Sequence, residues 1–350
     1  MKILMRATNW VGDAVMSIPA LQAIRSSRPE AEICILGRAW VADLYQGQGY
    51  ADRIVVFDHT GRHSGVLGVE KLARELRGER FDCAVLLQNA FEAAWIAKRA
   101  GIGERIGYAR DGRGWLLTRP VAVPQRGEIP AHESYYYLEL LRRAGWIGGL
   151  PPVNRIELRV EAAALDRANE TLTKAGARRG ALRIALAPGA AYGSAKCWLP
   201  SRFAQLCDRL IADFDADVII FGAASEAEIA ERIAGAMRHK PVVLAGQTRI
   251  GDLAALLAAC QLFVGNDSGA MHVAAAVGLP VVAVFGPTDP EGTAPMTPQR
   301  VLVQHRVSCS PCFLRHCPVD HRCMTRVPVD DVYAAARQWL AERRIPVVQR

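Results

Sequence analysis

Residues 264–272 read Val264-Gly-Asn-Asp-Ser-Gly-Ala-Met-His272. The apolar run that ends at Gly265 is typical of a buried strand, and the small and apolar residues that follow Gly269 are typical of a helix. Asp267 and Ser268 fall in the turn between the two elements. At the carboxyl end of a parallel strand, such a turn presents helix-terminal backbone amides that favour an anion. The stretch therefore predicts one unit of a parallel α/β sheet with an anion site at its edge.

Each side chain of this turn also has an ordinary structural explanation. Asp267 and Ser268 are both good helix N-caps, so capping competes with ligand binding. A single histidine such as His272 is commonly a packed or surface residue. Taken together, however, the turn resembles a nucleotide-sugar pocket, and Gly286-Pro-Thr-Asp-Pro290 adds a rigid turn at the same sheet edge after the next strand.

Short apolar runs alternate with longer amphipathic stretches along the whole chain, which predicts parallel sheets flanked by helices. The predicted strands are Lys2–Met5, Ala31–Leu36, Arg53–Phe57, Asp82–Leu87 and Arg105–Gly107, followed in the second half by Arg183–Ala187, Asp217–Phe221, Val242–Ala245, Leu262–Val264 and Val281–Phe285. The predicted helices include Val66–Leu76, Ala90–Ala100, Glu161–Ala175, Ser201–Ala212, Glu226–Met237, Asp252–Cys260, Ala270–Val277 and a final helix over 330–343.

A Gly- and Pro-rich stretch, Gly145–Val153, separates the two halves and is typical of a linker. We therefore expect an α/β protein with two Rossmann-like, doubly wound parallel-sheet domains facing a central cleft, where ligands bind at the carboxyl ends of the strands. The expected domains are residues 1–158, residues 159–328, and a C-terminal helix and tail over residues 329–350.

Length and composition indicate a soluble globular protein. The chain has 350 residues, of which 51% are hydrophobic and 22% charged, which favours two domains of ordinary composition. The opening residues are interrupted by Arg6 and lack the apolar core of a signal peptide. The longest apolar stretch, residues 253–264, contains Gln261 and is too short to span a bilayer. The nine cysteines are therefore expected to be reduced cytosolic thiols.

The formal net charge of +8 favours anionic partners, namely nucleic acid, phospholipid headgroups or a phosphorylated substrate. Much of the excess lies between residues 97 and 126, where seven basic residues face only Glu104 and Asp111. A solvated charged face also explains this segment. Nucleic acid is disfavoured as a partner, since the sequence shows neither an aromatic-interleaved RNA motif nor a helix-turn-helix pattern.

Two further turns carry candidate site residues. Asn9-Trp-Val-Gly-Asp13 follows the first predicted strand, where Asp13 either faces the cleft or caps the next helix, and Pro19 predicts that this helix is kinked or begins again. The loop Ala187-Pro-Gly-Ala-Ala-Tyr-Gly-Ser-Ala-Lys-Cys-Trp198 combines small residues with Lys196. Such a loop suits a diphosphate, although an exposed loop lysine is the simpler explanation and the Walker pattern is missing.

The combination of NWVGDAVMSIPALQAIR, PGAAYGSAKCW, NDSGAMHVAAAVGLPVVAVFGPTDP and a cysteine-rich tail resembles the ADP-heptose–lipopolysaccharide heptosyltransferases, over nearly the whole chain. Asn9-Trp10 before Val11-Gly12-Asp13 is more similar to heptosyltransferase II than to heptosyltransferase I. The resemblance implies a GT-B fold, acceptor binding by the N-terminal half and ADP-heptose binding by the C-terminal half. It also implies an inverting transfer that requires no metal, to the heptosyl-Kdo2-lipid A inner core.

The resemblance also implies residue roles. Asp13 matches the catalytic base, Lys196 lies beside the donor diphosphate, and Glu226 contacts the nucleoside ribose. The remaining donor positions are Asp267, Ser268, Gly269 and His272, and the acceptor candidates are Asn9, Trp10, Arg110 and Arg113. Ala191 and Tyr192 depart from the threonine pair found in heptosyltransferase I, so backbone amides would do that work.

These roles are consistent with the chemistry of the transfer. The acceptor hydroxyl must lose a proton, which a carboxylate accepts, and a lysine stabilises the departing ADP. An acceptor bearing acidic sugars and phosphates would pair with Arg110 and Arg113, and the basic surface would dock the protein to anionic lipid. We therefore expect a cytoplasmic protein that associates peripherally with the inner face of the inner membrane.

Four cysteines lie close together near the end of the sequence, as Cys309-x2-Cys312-x4-Cys317-x5-Cys323 with His316 and His321 between them. Thiols at this density suit zinc or an iron–sulfur cluster, but their spacing differs from the paired Cys-x2-Cys of zinc ribbons. Similar tails occur in the resembling family without an assigned catalytic metal. We expect reduced structural thiols and no cofactor, with a structural metal or a redox role as alternatives.

Two other classes of function remain open at this point. Nucleotide-sugar 2-epimerases share the architecture and would interconvert free nucleotide-sugars without an acceptor. A non-catalytic nucleic-acid- or membrane-binding module would bind anionic polymers with a steep salt dependence and would not bind ADP-sugars.

Overall fold

The computed structural model describes residues 1–341. The chain divides into two compact units, Met1–Ile156 and a second unit that begins at Glu157. The strands are β1 Lys2–Arg6, β2 Glu32–Gly37, β3 Arg53–Val56, β4 Cys83–Leu86, β5 Glu104–Tyr108, β6 Arg119–Val121, β7 Arg183–Ala187, β8 Asp217–Ile220, β9 Val242–Val243, β10 Leu262–Asn266, β11 Val281–Phe285 and β12 Arg300–Gln304.

The helices of the first unit are α1 Val11–Met16, α2 Ile18–Ser27, α3 Ala39–Tyr45, α4 Gly65–Gly78, α5 Phe91–Arg99 and α6 Glu133–Arg143. Those of the second unit are α7 Ala162–Lys174, α8 Pro200–Phe214, α9 Ala227–Ala236, α10 Ile250–Ala258, α11 Gly269–Ala276, α12 Pro290–Thr293, α13 Arg322–Thr325 and α14 Val329–Ala341. Short 3₁₀ turns lie at Gly114–Leu116, Ser194–Lys196 and Ala224–Glu226. No helix within residues 1–341 is long and apolar enough to cross a membrane.

Each unit contains one six-stranded parallel sheet, in the orders β3-β2-β1-β4-β5-β6 and β12-β11-β10-β7-β8-β9. The chain starts at a central strand, builds outward to one edge, and then crosses back to build the other side. The strand order therefore reverses between β1 and β4 and again between β7 and β10. These reversals are the switch points where open α/β sheets bind ligands, and they confirm the predicted pair of doubly wound sheets.

Apolar residues cover the sheets on both faces, as expected for parallel strands. The central strands β1 and β10 are buried along almost their whole length. Helix α8 begins at Pro200, whose missing amide is tolerated there, and buries the stripe Phe203, Leu206 and Leu210 against the second sheet. Helix α14 completes that core with Val332 and Leu340 among its buried residues.

The structure adds two strands, β6 and β12, and four helices, α3, α6, α12 and α13, to the elements named from the sequence. The helix after Asp13 begins again at Ile18, with Pro19 in its first turn, as one of the two interpretations of Pro19 predicted. The predicted final helix is α14, and residues 342–350 of the predicted helix and tail lie outside the described residues.

Candidate active site

Asn9 holds together the strand ends at the first switch point. Its side-chain oxygen accepts hydrogen bonds from Arg6 at 2.8 Å and from Arg38 at 3.4 Å. The backbone amide of Asn9 donates to the Gln88 side chain at 3.1 Å, and the backbone carbonyl of Asn9 accepts from the Trp40 indole at 2.8 Å. Asn9 therefore fixes the loop after β1 against the ends of β2 and β4.

Asp13 is the third residue of α1, and Trp10 occupies the N-cap position. The alternative prediction that Asp13 is the helix N-cap is therefore wrong. The Tyr137 hydroxyl, from α6, donates to Asp13 at 3.4 Å. Burial and the charge of Asp13 raise the pKa of Tyr137 well above its usual value, so the phenol remains a donor to this carboxylate.

Glu133 lies one helical turn before Tyr137 on α6 and interacts with the charge of Asp13. Burial, reinforced by Asp13 and opposed by Arg110, raises the pKa of Glu133 to about 7. A protonated Glu133 adds no second negative charge beside Asp13. Below about pH 7, Glu133 therefore adds no full negative charge to the cluster of Asp13, Glu133 and Tyr137.

Arg110 and Arg113 have different environments. Arg110 is exposed, pairs with Asp111 at 3.3 Å and donates to the Tyr136 hydroxyl at 3.3 Å. Arg113 is fully buried and donates to the carbonyls of Tyr108 and Gln88 and to the side chain of Asn89. Burial lowers the pKa of Arg113 to about 10. Arg113 therefore supports the turn that presents Arg110.

Asn266 organises the second switch point from the end of β10. Its side-chain nitrogen donates to the Pro188 carbonyl at 2.6 Å, and its side-chain oxygen accepts from the Trp198 backbone amide at 3.0 Å. Both ends of the loop after β7 are thereby attached to β10. Gly265 precedes Asn266 because a Cβ there would lie 2.7 Å from the Ala187 carbonyl oxygen.

Lys196 and Asp267, which are 71 residues apart in sequence, form a buried ion pair at this point. The Lys196 ammonium lies 2.6 Å from Asp267 Oδ2, and the two side chains are 12% and 3% exposed. The Thr288 hydroxyl donates to the same oxygen at 2.7 Å. The interpretation of Lys196 as an exposed loop lysine is therefore wrong.

Ser268 and Gly269 begin helix α11, and His272 is buried one turn into it. Ser268 is the N-cap residue, but its buried hydroxyl has no hydrogen-bond partner among the described residues. A buried polar group is normally satisfied, so this hydroxyl and the helix-terminal amides are available to an anion beside Lys196.

Glu226 lies in the 3₁₀ turn after β8 and accepts a hydrogen bond from the Ala223 amide at 2.8 Å. Its carboxylate fills the space beside Gly189, where an added Cβ would overlap it. The glycine in the loop after β7 therefore lets the backbone approach Glu226. The structure brings Glu226 to the same loop as Lys196.

Tyr192 links this loop to the cysteine segment, which we define as residues 309–323. Its hydroxyl donates to the Phe313 carbonyl at 2.6 Å, and its ring lies 5.0 Å from the Lys196 ammonium and 5.3 Å from the Arg315 guanidinium. The Ala195 amide also donates to the Arg315 carbonyl at 3.0 Å. The cysteine segment therefore holds the Lys196 loop in place.

The cysteines of this segment are free thiols, three of them exposed and Cys323 buried. Burial and the neighbouring thiols Cys309, Cys312 and Cys317 raise the pKa of Cys323. Within residues 1–341, no group of three or more His, Cys, Asp or Glu side chains is arranged to hold a metal ion.

Sequence reasoning missed four residues of these clusters, namely Glu133, Tyr137, Asn266 and Thr288. Glu133 and Tyr137 are four residues apart on α6, a spacing that places them on one helix face. Asn266 lies within residues 264–272 and Thr288 within residues 286–290. For Asn266, the available signal was an asparagine at the end of a buried strand.

Comparison with known proteins identifies the family. Residues 69–322 match glycosyltransferase family 9 (heptosyltransferase). Lipopolysaccharide heptosyltransferase 2 of Escherichia coli K12 is 31% identical over 85% of this chain and 86% of its own. Lipooligosaccharide heptosyltransferase 2 of Haemophilus influenzae is 29% identical over 87% of this chain and 88% of its own.

Solved structures agree with the sequence matches. E. coli ADP-heptose lps heptosyltransferase II superposes with a TM-score of 0.82 and 26% identity, covering 98% of this chain and 99% of that chain. The predicted GT-B class, with two Rossmann-like sheets, is thereby confirmed. The family match covers well over half of the sequence, so the chain is an enzyme of glycosyltransferase family 9, the heptosyltransferases.

Proposed function

We propose that this enzyme transfers L-glycero-D-manno-heptose from ADP-heptose to the heptosyl-Kdo2-lipid A inner core of lipopolysaccharide, adding the second heptose. The observation that supports it most directly is the set of anion-binding groups at the second switch point, where Lys196, the Ser268 hydroxyl and the start of α11 lie together. The two relatives, both named heptosyltransferase 2, support the same reaction.

In the proposed mechanism, Asp13 accepts the proton of the acceptor hydroxyl as its oxygen attacks the anomeric carbon of the heptose. The new carbon–oxygen bond forms on the face opposite the bond to ADP, and ADP leaves with the electron pair of that bond. Lys196 and the amides at the start of α11 stabilise the added negative charge on ADP. Tyr137 holds the Asp13 carboxylate in place.

We propose the remaining roles by unit. In the proposed donor domain, residues 159–328, Glu226, Asp267, Gly269 and His272 complete the ADP-heptose site. In the proposed acceptor domain, residues 1–158, Trp10 and Arg110 contact the acceptor, while Asn9 and Arg113 hold the loops that present them. The cysteine segment carries reduced thiols and supports the Lys196 loop through Tyr192 and backbone hydrogen bonds. The enzyme works in the cytoplasm, peripherally bound to the inner membrane.

The test is a transfer assay with ADP-heptose and two acceptors, Kdo2-lipid A and heptosyl-Kdo2-lipid A, read by mass spectrometry. We expect one heptose to be added to the second acceptor only. Transfer only to Kdo2-lipid A would overturn the acceptor assignment. Interconversion of free nucleotide-sugar without transfer would indicate an epimerase, and binding to anionic polymers alone, with a steep salt dependence, would indicate a non-catalytic module.

A further inference from the structure

Exposed apolar side chains concentrate at one place in the first unit, the carboxyl edge of its sheet. Each follows a different strand of the sheet, and together they represent every strand from β1 to β5. In chain order they are Trp10, Trp40, Val66 with Leu67, Phe91 and Trp115. Soluble proteins rarely leave apolar side chains grouped in this way unless the surface contacts a partner.

The aromatic part of this edge is a packed cluster on α5 and the following 3₁₀ turn. The Phe91 ring stacks on Trp95 at 6.3 Å and lies 6.2 Å from Trp115. The Lys98 ammonium lies 4.5 Å from the centre of the Trp115 ring, which is part of a residue that is 64% exposed. An exposed tryptophan covered by a lysine is typical of membrane-interface segments, where the ring occupies the headgroup region and the ammonium reaches the phosphates.

The aliphatic part lies at the start of α4, where Val66 and Leu67 are 79% and 84% exposed. Helix α4 packs along α5, and the Trp95 indole donates to Glu70 on α4 at 3.2 Å. Both helices follow strands of one parallel sheet, so both begin at the same edge. Val66 and Leu67 therefore extend the surface formed by Phe91 and Trp115.

The charges around this surface favour an anionic partner. Glu70 and Glu75, the acidic side chains nearest to it on α4, are each paired with an arginine, Arg99 at 2.9 Å and Arg62 at 2.5 Å. Lys98 lies over the aromatic ring. Each of these pairs is neutral as a whole, and Glu92 at the start of α5 interacts with Arg6 and Arg38. Lys98 is therefore the charge of this surface that attracts phosphate headgroups.

We propose that Val66, Leu67, Phe91, Lys98 and Trp115 form the surface by which this enzyme binds an anionic lipid bilayer, with the apolar side chains entering the headgroup region. The proposal rests on the proposed function insofar as a lipid-anchored acceptor gives the enzyme a reason to sit on a membrane. The surface belongs to the same sheet edge as Asp13, so binding there would bring the cluster of Asp13, Glu133 and Tyr137 to the membrane.

The test is flotation of the purified full-length chain with vesicles of equal parts phosphatidylethanolamine and phosphatidylglycerol, beside vesicles of phosphatidylcholine alone. We expect binding to the anionic vesicles. Leu67→Ser/Trp115→Ser should weaken it by about tenfold or more, since each exposed side chain loses the gain of apolar burial. Lys98→Glu should also weaken binding to the anionic vesicles, and this loss should grow as the salt concentration is lowered, because salt screens the charge.

Matched controls come from the second unit. Val319→Ser removes an apolar side chain of 72% exposure, and Lys174→Glu reverses a lysine of 80% side-chain exposure. Both should bind vesicles like the unaltered chain. We call Leu67→Ser/Trp115→Ser and Lys98→Glu the patch variants. The proposal would be overturned if the patch variants bound vesicles as well as the control variants, whether both bound normally or both bound weakly. Light scattering measures the oligomeric state of the same variants. If they changed oligomeric state but bound vesicles normally, the proposal would also be overturned, because the surface would then be a contact between copies of the chain.

A water-soluble, deacylated acceptor separates this proposal from the proposed function. We expect the patch variants to transfer heptose to it at the rate of the unaltered chain, and to lose rate only with acceptor embedded in vesicles. If the patch variants lost vesicle binding but neither they nor the unaltered chain transferred heptose, the docking surface would be retained and the transferase assignment rejected. Transfer with unchanged vesicle binding would reject the docking surface alone.

Discussion

Asp13 tests the mechanism at the scale of one residue. In the first turn of α1, its charge stabilises the helix by about 0.3–1 kcal/mol, so Asp13→Asn should melt only slightly lower. As the proton acceptor it should be essential, and the same change should lower kcat by about 10²–10⁴. The measurement is kcat with the heptosylated acceptor, beside ADP affinity and melting temperature. Turnover near that of the unaltered chain would remove Asp13 from catalysis.

Glu133 predicts a pH dependence of stability. Its folded-state pKa is raised to about 7 from 4.5, so the unfolded chain releases this proton first as pH rises. Glu133 therefore lowers the free energy of unfolding progressively as the pH rises from 4.5 to about 7, and has no such effect below pH 4.5. The change is at most about 3 kcal/mol.

Glu133→Gln removes this titration. The variant should melt close to the unaltered chain at about pH 5 and above it at about pH 8. Thermal melts across this range provide the measurement, and Glu128→Gln, an exposed carboxylate paired with Arg143, is a control for loss of a charge. A pH-independent difference between Glu133→Gln and the unaltered chain would contradict the raised pKa.

The Lys196–Asp267 pair allows its stabilising and catalytic roles to be separated. Lys196→Ala leaves a buried carboxylate with a single hydroxyl donor, which should cost about 3–5 kcal/mol of stability. The double variant Lys196→Ala/Asp267→Asn removes both charges and should recover much of the melting temperature. If the proposed mechanism holds, its kcat should stay low by about 10²–10³, because the charge proposed to stabilise ADP is still missing. Recovery of kcat together with stability would make the lysine purely structural.

At the scale of elements, the two strands missed from the sequence are β6 and β12, which lie at one edge of each sheet. β1 and β7 read as uninterrupted apolar runs, whereas β6 is the three residues Arg-Pro-Val at a sheet edge. A proline is tolerated there because an edge strand has an unpaired side, but it argues against a strand in any sequence-based prediction. Helix α6 was missed because three consecutive tyrosines, Tyr135–Tyr137, interrupt its apolar spacing.

The candidate site was predicted to different extents in the two units. The turn at Asp267 and the lysine at 196 could be recognised because each lies beside a strand end with glycine nearby. Their pairing could not be predicted, since it depends on how β7 and β10 align, with Leu186 opposite Val264. Glu133 likewise reaches Asp13 only through the packing of α6 against α1, which no local pattern reports.

The cysteine segment gives a prediction at the same scale. It is fixed to the Lys196 loop through Tyr192 and backbone hydrogen bonds, so its support should not depend on the exposed thiols. Cys309→Ser/Cys312→Ser should therefore keep kcat and melting temperature close to those of the unaltered chain. Turnover should also survive thorough chelation. Metal analysis of the fresh protein decides the matter, since one equivalent of zinc or iron that this double variant lacks would make the segment a metal site.

At the scale of the whole molecule, each unit has its own sheet and apolar core. A fragment beginning at Glu157 should therefore fold by itself and bind ADP. Calorimetry should show ADP raising its melting temperature, by an amount that corresponds to about 2.7 kcal/mol at a hundredfold excess over Kd. The same fragment carrying Lys196→Ala/Asp267→Asn is the control. A fragment that folds without binding ADP would place the donor site elsewhere.

The position of α14 in the second core has a consequence for the order in which a ribosome delivers these parts. The first sheet is complete once β6 has been synthesised, and the first unit once α6 has followed, so this unit is able to fold while the rest of the chain is still being made. The second sheet lacks a wall of its core until α14 emerges, long after Lys196 and Asp267. A nascent chain therefore carries a folded first unit while the second unit is still being made, and the core of the second unit is completed only once α14 has emerged.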